Sequence, residues 1–280
     1  MASLIKDKYP SPSSLPFHLI IPSLPGYGLS PLPSPSINLN VMQSSHLLHL
    51  LMHDHLRFPQ YIATGGDIGS GVARILAAKY DACVGMQINF CQLQTPCTPI
   101  DDSTLTDFEK GCVERGREFF ATGAAYAMEQ GTRPGTLGLV LSSSPLALLA
   151  WVGEKFLSWS DTPKPSLGDI LDQASLWWFT GRIASSFYPY RQRFESAVWG
   201  HGHPELRVEG KGKAFGYQVF PKEINPVPRS WAETTGELTW FQQHESGGHF
   251  AAMERPGEML GDLEDFLRHV VEEKGWRFGK

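Results

Sequence analysis

Between residues 17 and 90 the chain alternates short β-prone runs with segments whose apolar residues recur every three to four positions. Phe17-His18-Leu19-Ile20-Ile21, Tyr61-Ile62-Ala63-Thr64 and Val84-Gly85-Met86-Gln87-Ile88 read as strands, and the run from Val72 to Ala78 is a strong helix former. This alternation predicts parallel strands joined by helical crossovers. From about 96 to 200 the strand signal fades, and residues 104–122, 145–159 and 167–179 predict helices separated by turn-rich loops. Strand character returns at 214–220 and 237–241. Residues 257–273 then carry Met259, Leu263, Phe266, Leu267 and Val270 on one helical stripe. The pattern divides the chain into an N-terminal core part (1–95), a helical lid (96–205) and a C-terminal core part (206–280). The expected fold class is α/β, a mostly parallel sheet with its helical lid over the C-terminal strand ends, where open α/β sheets bind ligands.

Composition narrows the classes. A net charge of −5 with interspersed signs argues against a nucleic-acid partner. No segment offers the roughly 18 consecutive apolar residues of a membrane span, and the first residues lack the apolar run of a signal peptide. The expectation is a soluble, cytoplasmic protein. Cys83, Cys91, Cys97 and Cys112 have neither zinc-site spacing nor the density of a disulfide scaffold, so they read as reduced, mostly buried thiols. His46, His49, His53 and His55 share a segment with Val41, Leu48, Leu51 and Met52 at helical spacing, without the Glu of a His-Glu-x-x-His zinc site. They are expected on the surface of an amphipathic helix, and neither metal nor cofactor is expected.

The candidate chemistry lies in two glycine-rich turns. Gly65-Gly66-Asp67-Ile68-Gly69-Ser70 stands between a strand and a helix, with Asp67 where a Gly-x-Ser-x-Gly elbow presents its serine. A carboxylate there either attacks carbon, leaving an ester that a second step must hydrolyse, or merely caps the helix. In Glu245-Ser246-Gly247-Gly248-His249-Phe250, His249 is either a satisfied loop residue or a base able to reach across the sheet edge. The chain order nucleophile, acid, histidine favours the second reading. The acid is expected after the preceding strand, where Glu223 stands; Glu233 and Glu245 are rivals, and a solvated surface Glu is the other reading.

Taken together, Phe17 to Ser30 (FHLIIPSLPGYGLS), the Gly-Gly-Asp-Ile-Gly-Ser turn, Phe220-Pro221-Lys222-Glu223 and Gly247 to Pro256 (GGHFAAMERP) resemble the microsomal-type epoxide hydrolases, juvenile-hormone-type enzymes included. The resemblance runs from about residue 17 to the C-terminus. It implies an α/β-hydrolase fold, with Asp67 as nucleophile, His249 as the base that activates water and Glu223 as its acid partner. It further implies two lid tyrosines that donate to the epoxide oxygen, matched by Tyr126 and Tyr190, with Tyr188 a competitor for the second. The ester's oxyanion would take the amide of Ile68 as one donor. The implied substrates are water and a small epoxide, lipophilic if Leu146, Leu149, Trp151, Trp177 and Phe179 line its site rather than pack on the core.

The resemblance stops short at the N-terminus. The usual first strands and the His-Gly-x-Pro turn that supplies a second oxyanion donor do not precede Asp67; the similar letters at His201-Gly202-His203-Pro204 come late and read as coincidence. A truncated chain is therefore expected, either with a new strand pairing or with residues 17–24 poorly anchored, and with impaired activity. The alternative class is a non-catalytic α/β-hydrolase-like protein. Dehalogenation is disfavoured because Ile68 lacks the side-chain N–H that would hold a halide, and a serine esterase would need Ser at position 67.

Overall fold

The computed structural model describes residues 1–11, 13–32, 37, 39–195, 200–210 and 212–275. Helix α1 (Val41–Leu50) starts at a capping box in which Asn40 and Gln43 exchange side-chain and backbone bonds. After a π-turn at Leu51–His55 the chain enters β1 (Tyr61–Gly65), then α2 (Asp67–Lys79) and β2 (Cys83–Ile88). A long helical stretch follows: α3 (Asp107–Glu118), α4 (Ala125–Thr132), α5 (Pro134–Ser143), α6 (Pro145–Trp159), α7 (Leu167–Thr180) and α8 (Tyr188–Glu195). The sheet resumes with β3 (Ala214–Val219) and β4 (Trp240–Gln243), and α9 (Pro256–Lys274) follows.

Among the described residues the strands form one sheet in the order β1-β2-β3-β4, every neighbour parallel. Parallel pairing needs a crossover after each strand, so all four C-terminal ends share one edge of the sheet. Strands β2 and β3 are buried along their whole length, as central strands covered on both faces must be. The main core joins Ile75 and Leu76 of α2 to Met86, Ile88, Phe215, Tyr217 and Val219, while Phe266 and Val270 of α9 pack against Ala214. A separate apolar cluster of Leu137, Leu141, Leu148, Ile183 and Phe187 holds the helical stretch together.

Three expectations change. Residues 17–21 do not form a strand: their backbone makes no pairing and the Ile21 side chain is left 72% exposed. A strand needs a neighbour, and among the described residues β1 pairs only with β2. Between Phe17–Pro22 and the free edge of β1 runs a groove of about 590 Å³, lined by Phe17, Leu19 and Pro22 on one side and Ile62, Thr64 and Gly66 on the other. The turn that follows is nonetheless anchored, because Ser185 Oγ donates to the Gly26 carbonyl at 2.5 Å and Tyr27 Oη donates to the Ser186 carbonyl at 2.6 Å. Second, the helix expected over 104–122 begins only at Asp107, where a Thr106/Glu109 capping box sets its start, and it ends in a π-turn at Phe119–Gly123. Third, the last strand starts three residues later than expected and runs over 240–243 rather than 237–241, since Thr239 N–H bonds the Phe215 carbonyl and pairing proper starts at Trp240.

The histidine-bearing helix is less cleanly amphipathic than expected, burying Val41, Ser44 and Ser45 while Leu47 is exposed, and His49 is more than decoration: its ring stacks on Tyr80 at 4.0 Å and Nδ1 meets Tyr61 Oη at 3.0 Å. Cys83, Cys91 and Cys112 are buried free thiols, whereas Cys97 is exposed. Among the described residues no single helix is long and apolar enough to cross a membrane.

The turn after β1 is the most tightly specified piece of backbone. A Cβ on Gly65 would stand 2.2 Å from the Gly69 carbonyl oxygen, and one on Gly66 would stand 2.4 Å from Asn89 Oδ1. Gly65→Ala is therefore expected to destabilise the fold by about 1–3 kcal/mol through overpacking, measured as a lowered midpoint in chemical denaturation.

Candidate active site

Asp67 opens α2 with φ = +45°, a left-handed conformation that costs a non-glycine residue about 1–3 kcal/mol. That torsion turns the side chain away from the helix and up over the shared C-terminal edge. The Asp67 side chain is 45% exposed and lines a cavity of about 80 Å³, which is room for more than one water. Desolvation raises its pKa above the usual carboxylate range, against the lowering influence of the His249 charge and the Ile68 N–H.

Glu223 and His249 arrive from the ends of β3 and β4. Lys222 N–H donates to the Gly247 carbonyl at 2.9 Å, and an isolated parallel bridge joins Lys222 to Gly248, so the two loops continue the sheet and place both residues side by side. Glu223, 1% exposed, accepts through Oε1 from His249 Nδ1 at 2.5 Å and from the Ile224 N–H at 2.6 Å. With Nδ1 bound there, Nε2 faces Asp67 Oδ2 at 3.9 Å. This gap is too long for a hydrogen bond and fits an intervening water. Burial lowers the His249 pKa, but the charge and hydrogen bond of Glu223, aided by Asp67, more than offset it and lift the value to about 9. A protonated His249 is thus favoured at neutral pH.

The helical stretch roofs this cavity. Tyr126 on α4 and Tyr190 on α8 line it, their rings 6.0 Å apart edge to face. Both phenol pKa values are raised, chiefly by desolvation, and both groups sense the charge of Asp67, so each keeps its proton at neutral pH. Tyr188 is not among the residues lining the cavity. Phe90, Phe119, Phe120 and Ile224 supply apolar wall. Glu233 instead pairs with Arg229 on the surface.

Several contributors left no clear trace in the sequence. Trp159, at the end of α6, accepts from the His249 N–H through its carbonyl at 2.9 Å and sets its ring edge-on to the imidazole at 5.1 Å. A Cβ on Gly248 would stand 2.5 Å from that same carbonyl oxygen. Glu254 accepts from the N–H groups of Gly248, Phe250 and Asp161, tying the histidine loop to the end of the helical stretch. Only the Met-Glu-Arg-Pro run hinted at a role for this glutamate. Residues 201–204 do not stand as an oxyanion turn upstream of Asp67. His201 instead lies buried against Ser70, and His203 accepts from the Glu205 N–H at 3.3 Å.

No family model matches the chain. Among solved structures, the Aspergillus niger epoxide hydrolase superposes with a TM-score of 0.88 at 43% identity, covering 96% of this chain and 67% of that one. A Dothistroma septosporum protein that bears an epoxide hydrolase name is also 43% identical, over 94% of this chain and 61% of its own length. The juvenile hormone epoxide hydrolase of Bombyx mori superposes with a TM-score of 0.79 at 22% identity, covering 90% of this chain and 64% of that one; it shares the α/β-hydrolase fold. The chain spans about three fifths of the length of the curated relatives it matches.

A group whose pKa rises on folding stabilises the native state below its unfolded value and loses that contribution as pH climbs through the folded value. For His249 the window runs from 6.5 to about 9. The thermal midpoint is expected to fall across that range, with Glu223→Gln flattening the dependence; differential scanning calorimetry at several pH values checks this.

Proposed function

Because this chain belongs to the epoxide hydrolase family of the α/β-hydrolases, we propose that it converts an epoxide and water to a vicinal diol through an ester on Asp67. The observation that carries this reading is the stack of Tyr126 and Tyr190, Asp67, His249 and Glu223 around one cavity. In the first step an Asp67 carboxylate oxygen attacks a ring carbon and the carbon–oxygen bond of the ring breaks. The departing oxygen takes a proton from one of the two phenols, an arrangement of general acids worth about 10²–10⁴ in rate.

The second step needs a neutral imidazole, and the first step helps provide one. Esterification removes the Asp67 charge, one of the influences that raises the His249 pKa. The imidazolium can then return its proton to the tyrosinate left by the first step and, now neutral, take another from a water beside Nε2 and the ester. The resulting hydroxide adds to the ester carbonyl, the Ile68 N–H faces the oxyanion, and collapse releases the diol alkoxide, which His249 reprotonates. Glu223 holds Nε2 towards the reaction and stabilises the transient cation. The net change is one epoxide and one water for one diol. The aromatic wall of Phe90, Phe119 and Phe120 favours a lipophilic substrate over a charged one.

Single turnover in heavy-oxygen water is expected to place an unlabelled Asp67 oxygen in the diol, and repeated turnover to label the peptide containing Asp67. Absence of label there sinks the ester mechanism. His249→Gln is expected to accumulate the ester to near stoichiometry, and Asp67→Asn to form none, both read by intact mass after acid quench. Tyr126→Phe and Tyr190→Phe should each slow ester formation by about 10²-fold or more, measured by stopped-flow quench, without slowing ester breakdown to the same degree.

A further inference from the structure

Behind the turn that presents Asp67, a chain of buried polar groups remains unused by the chemistry above. Arg74 is fully buried on α2, and among the described residues no carboxylate pairs with it. Its terminal nitrogens donate to the carbonyls of Leu206 and Thr235 and to the Thr235 hydroxyl, and its guanidinium sits 4.7 Å over the Phe215 ring. Its Nε donates to Nδ1 of His201 at 2.6 Å.

A guanidinium has donors only, and that fixes the direction of everything downstream. Nδ1 of His201 must accept, so the neutral ring carries its proton on Nε2, which lies 3.0 Å from Ser70 Oγ. Burial and the neighbouring Arg74 charge hold this imidazole well below the usual histidine range, and it stays neutral. With Ser70 Oγ accepting from His201, its one proton is left for the Asp67 carbonyl oxygen, 2.5 Å away. A serine bonding back to a carbonyl of its own helix is common. Here a residue 131 positions distant closes on the hydroxyl and removes its other rotational choices.

The Asp67 carbonyl and the Ile68 N–H are opposite ends of one rigid planar unit. Pinning the oxygen therefore fixes where the N–H points, and that N–H is within hydrogen-bonding reach of the Asp67 carboxylate. We propose that Arg74, His201 and Ser70 form a positioning chain that holds the Asp67–Ile68 peptide so that the Ile68 amide faces the oxyanion formed in ester hydrolysis. The inference rests on the reading of Asp67 as an ester-forming nucleophile. It assigns the chain to the second chemical step, because charge in the first step develops on the epoxide oxygen beneath the two phenols.

The test compares the wild type with Ser70→Ala and His201→Leu, using styrene oxide as substrate and acid quench with intact-mass detection of the ester. Removing an oxyanion donor outright costs about 10²–10³, so mispointing one is expected to slow ester breakdown by about 10- to 100-fold with ester formation unchanged. The ester then accumulates, and kcat and KM fall together while kcat/KM holds. General structural damage would lower kcat/KM instead. His201→Leu leaves a buried Arg74 donor unpaired and is the variant more prone to unfold; Ser70→Ala alone suffices. Breakdown at the wild-type rate in Ser70→Ala overturns the inference. A second readout is independent of turnover: the NMR shift of the Ile68 amide should follow Asp67 ionisation in the wild type and lose that dependence in Ser70→Ala. If the wild type forms no ester, the functional reading fails. The amide shift still decides the positioning inference, and persistence of its pH dependence in Ser70→Ala overturns it.

Discussion

A left-handed aspartate at the end of the edge strand β1 is the constraint on which the rest of the structure depends. Asp67 adopts that torsion only because the chain on either side over-determines it. Gly65 lets the start of α2, and Gly66 the Asn89 side chain, approach within distances no Cβ would permit, and Ser70 N–H closes the first helical bond to the Gly66 carbonyl at 3.1 Å. The buried Arg74 and His201 grip the same turn from below. A shallower turn would let the carboxylate lie along the helix, where it would serve as an ordinary cap.

The second determinant is electrostatic. Two carboxylates and one imidazole share one region, where burial by itself works against the charged forms of Asp67 and His249. Glu223, almost without exposure, is stabilised by the His249 ring and by the Ile224 N–H. The imidazolium in turn favours the charged form of Asp67, which burial opposes. Neutralising Asp67 by esterification changes the balance for the histidine without any motion. On the proposed reading this links the two chemical steps through charge alone.

The helical stretch is part of the same machinery, since it reaches the histidine through the backbone. The Trp159 carbonyl accepts from the His249 N–H, and Asp161 and Glu254 close hydrogen bonds between the end of α6 and the histidine loop. Tyr126 packs against the Trp159 ring at 5.0 Å, and Lys155 lies over both rings. The phenols and the imidazole are therefore registered by one short segment of chain, which fixes their spacing across the cavity.

Local pattern alone determined a good deal. The strand runs at 61–64, 84–88 and 214–220, the helical stretch between them and the two glycine-rich turns follow from periodicity and from residues that suit strained backbone. A parallel sheet then dictates that residues after different strands meet at one edge. That is why Asp67, Glu223 and His249 could be named from their places after strands. What the tertiary structure alone decided depends on neighbours remote in the chain. Residues 17–21 have every local mark of a strand, yet remain unpaired, because strand formation needs a partner and β1 offers none within reach. Tyr190 lines the cavity and Tyr188 does not, a matter of how α8 is rotated against α4. Ser70 ends the glycine-rich turn and His201 opens a run that read as coincidence, yet nothing linked them to each other or to Arg74, since His201 lies more than a hundred positions from both and no spacing along the polymer encodes that contact.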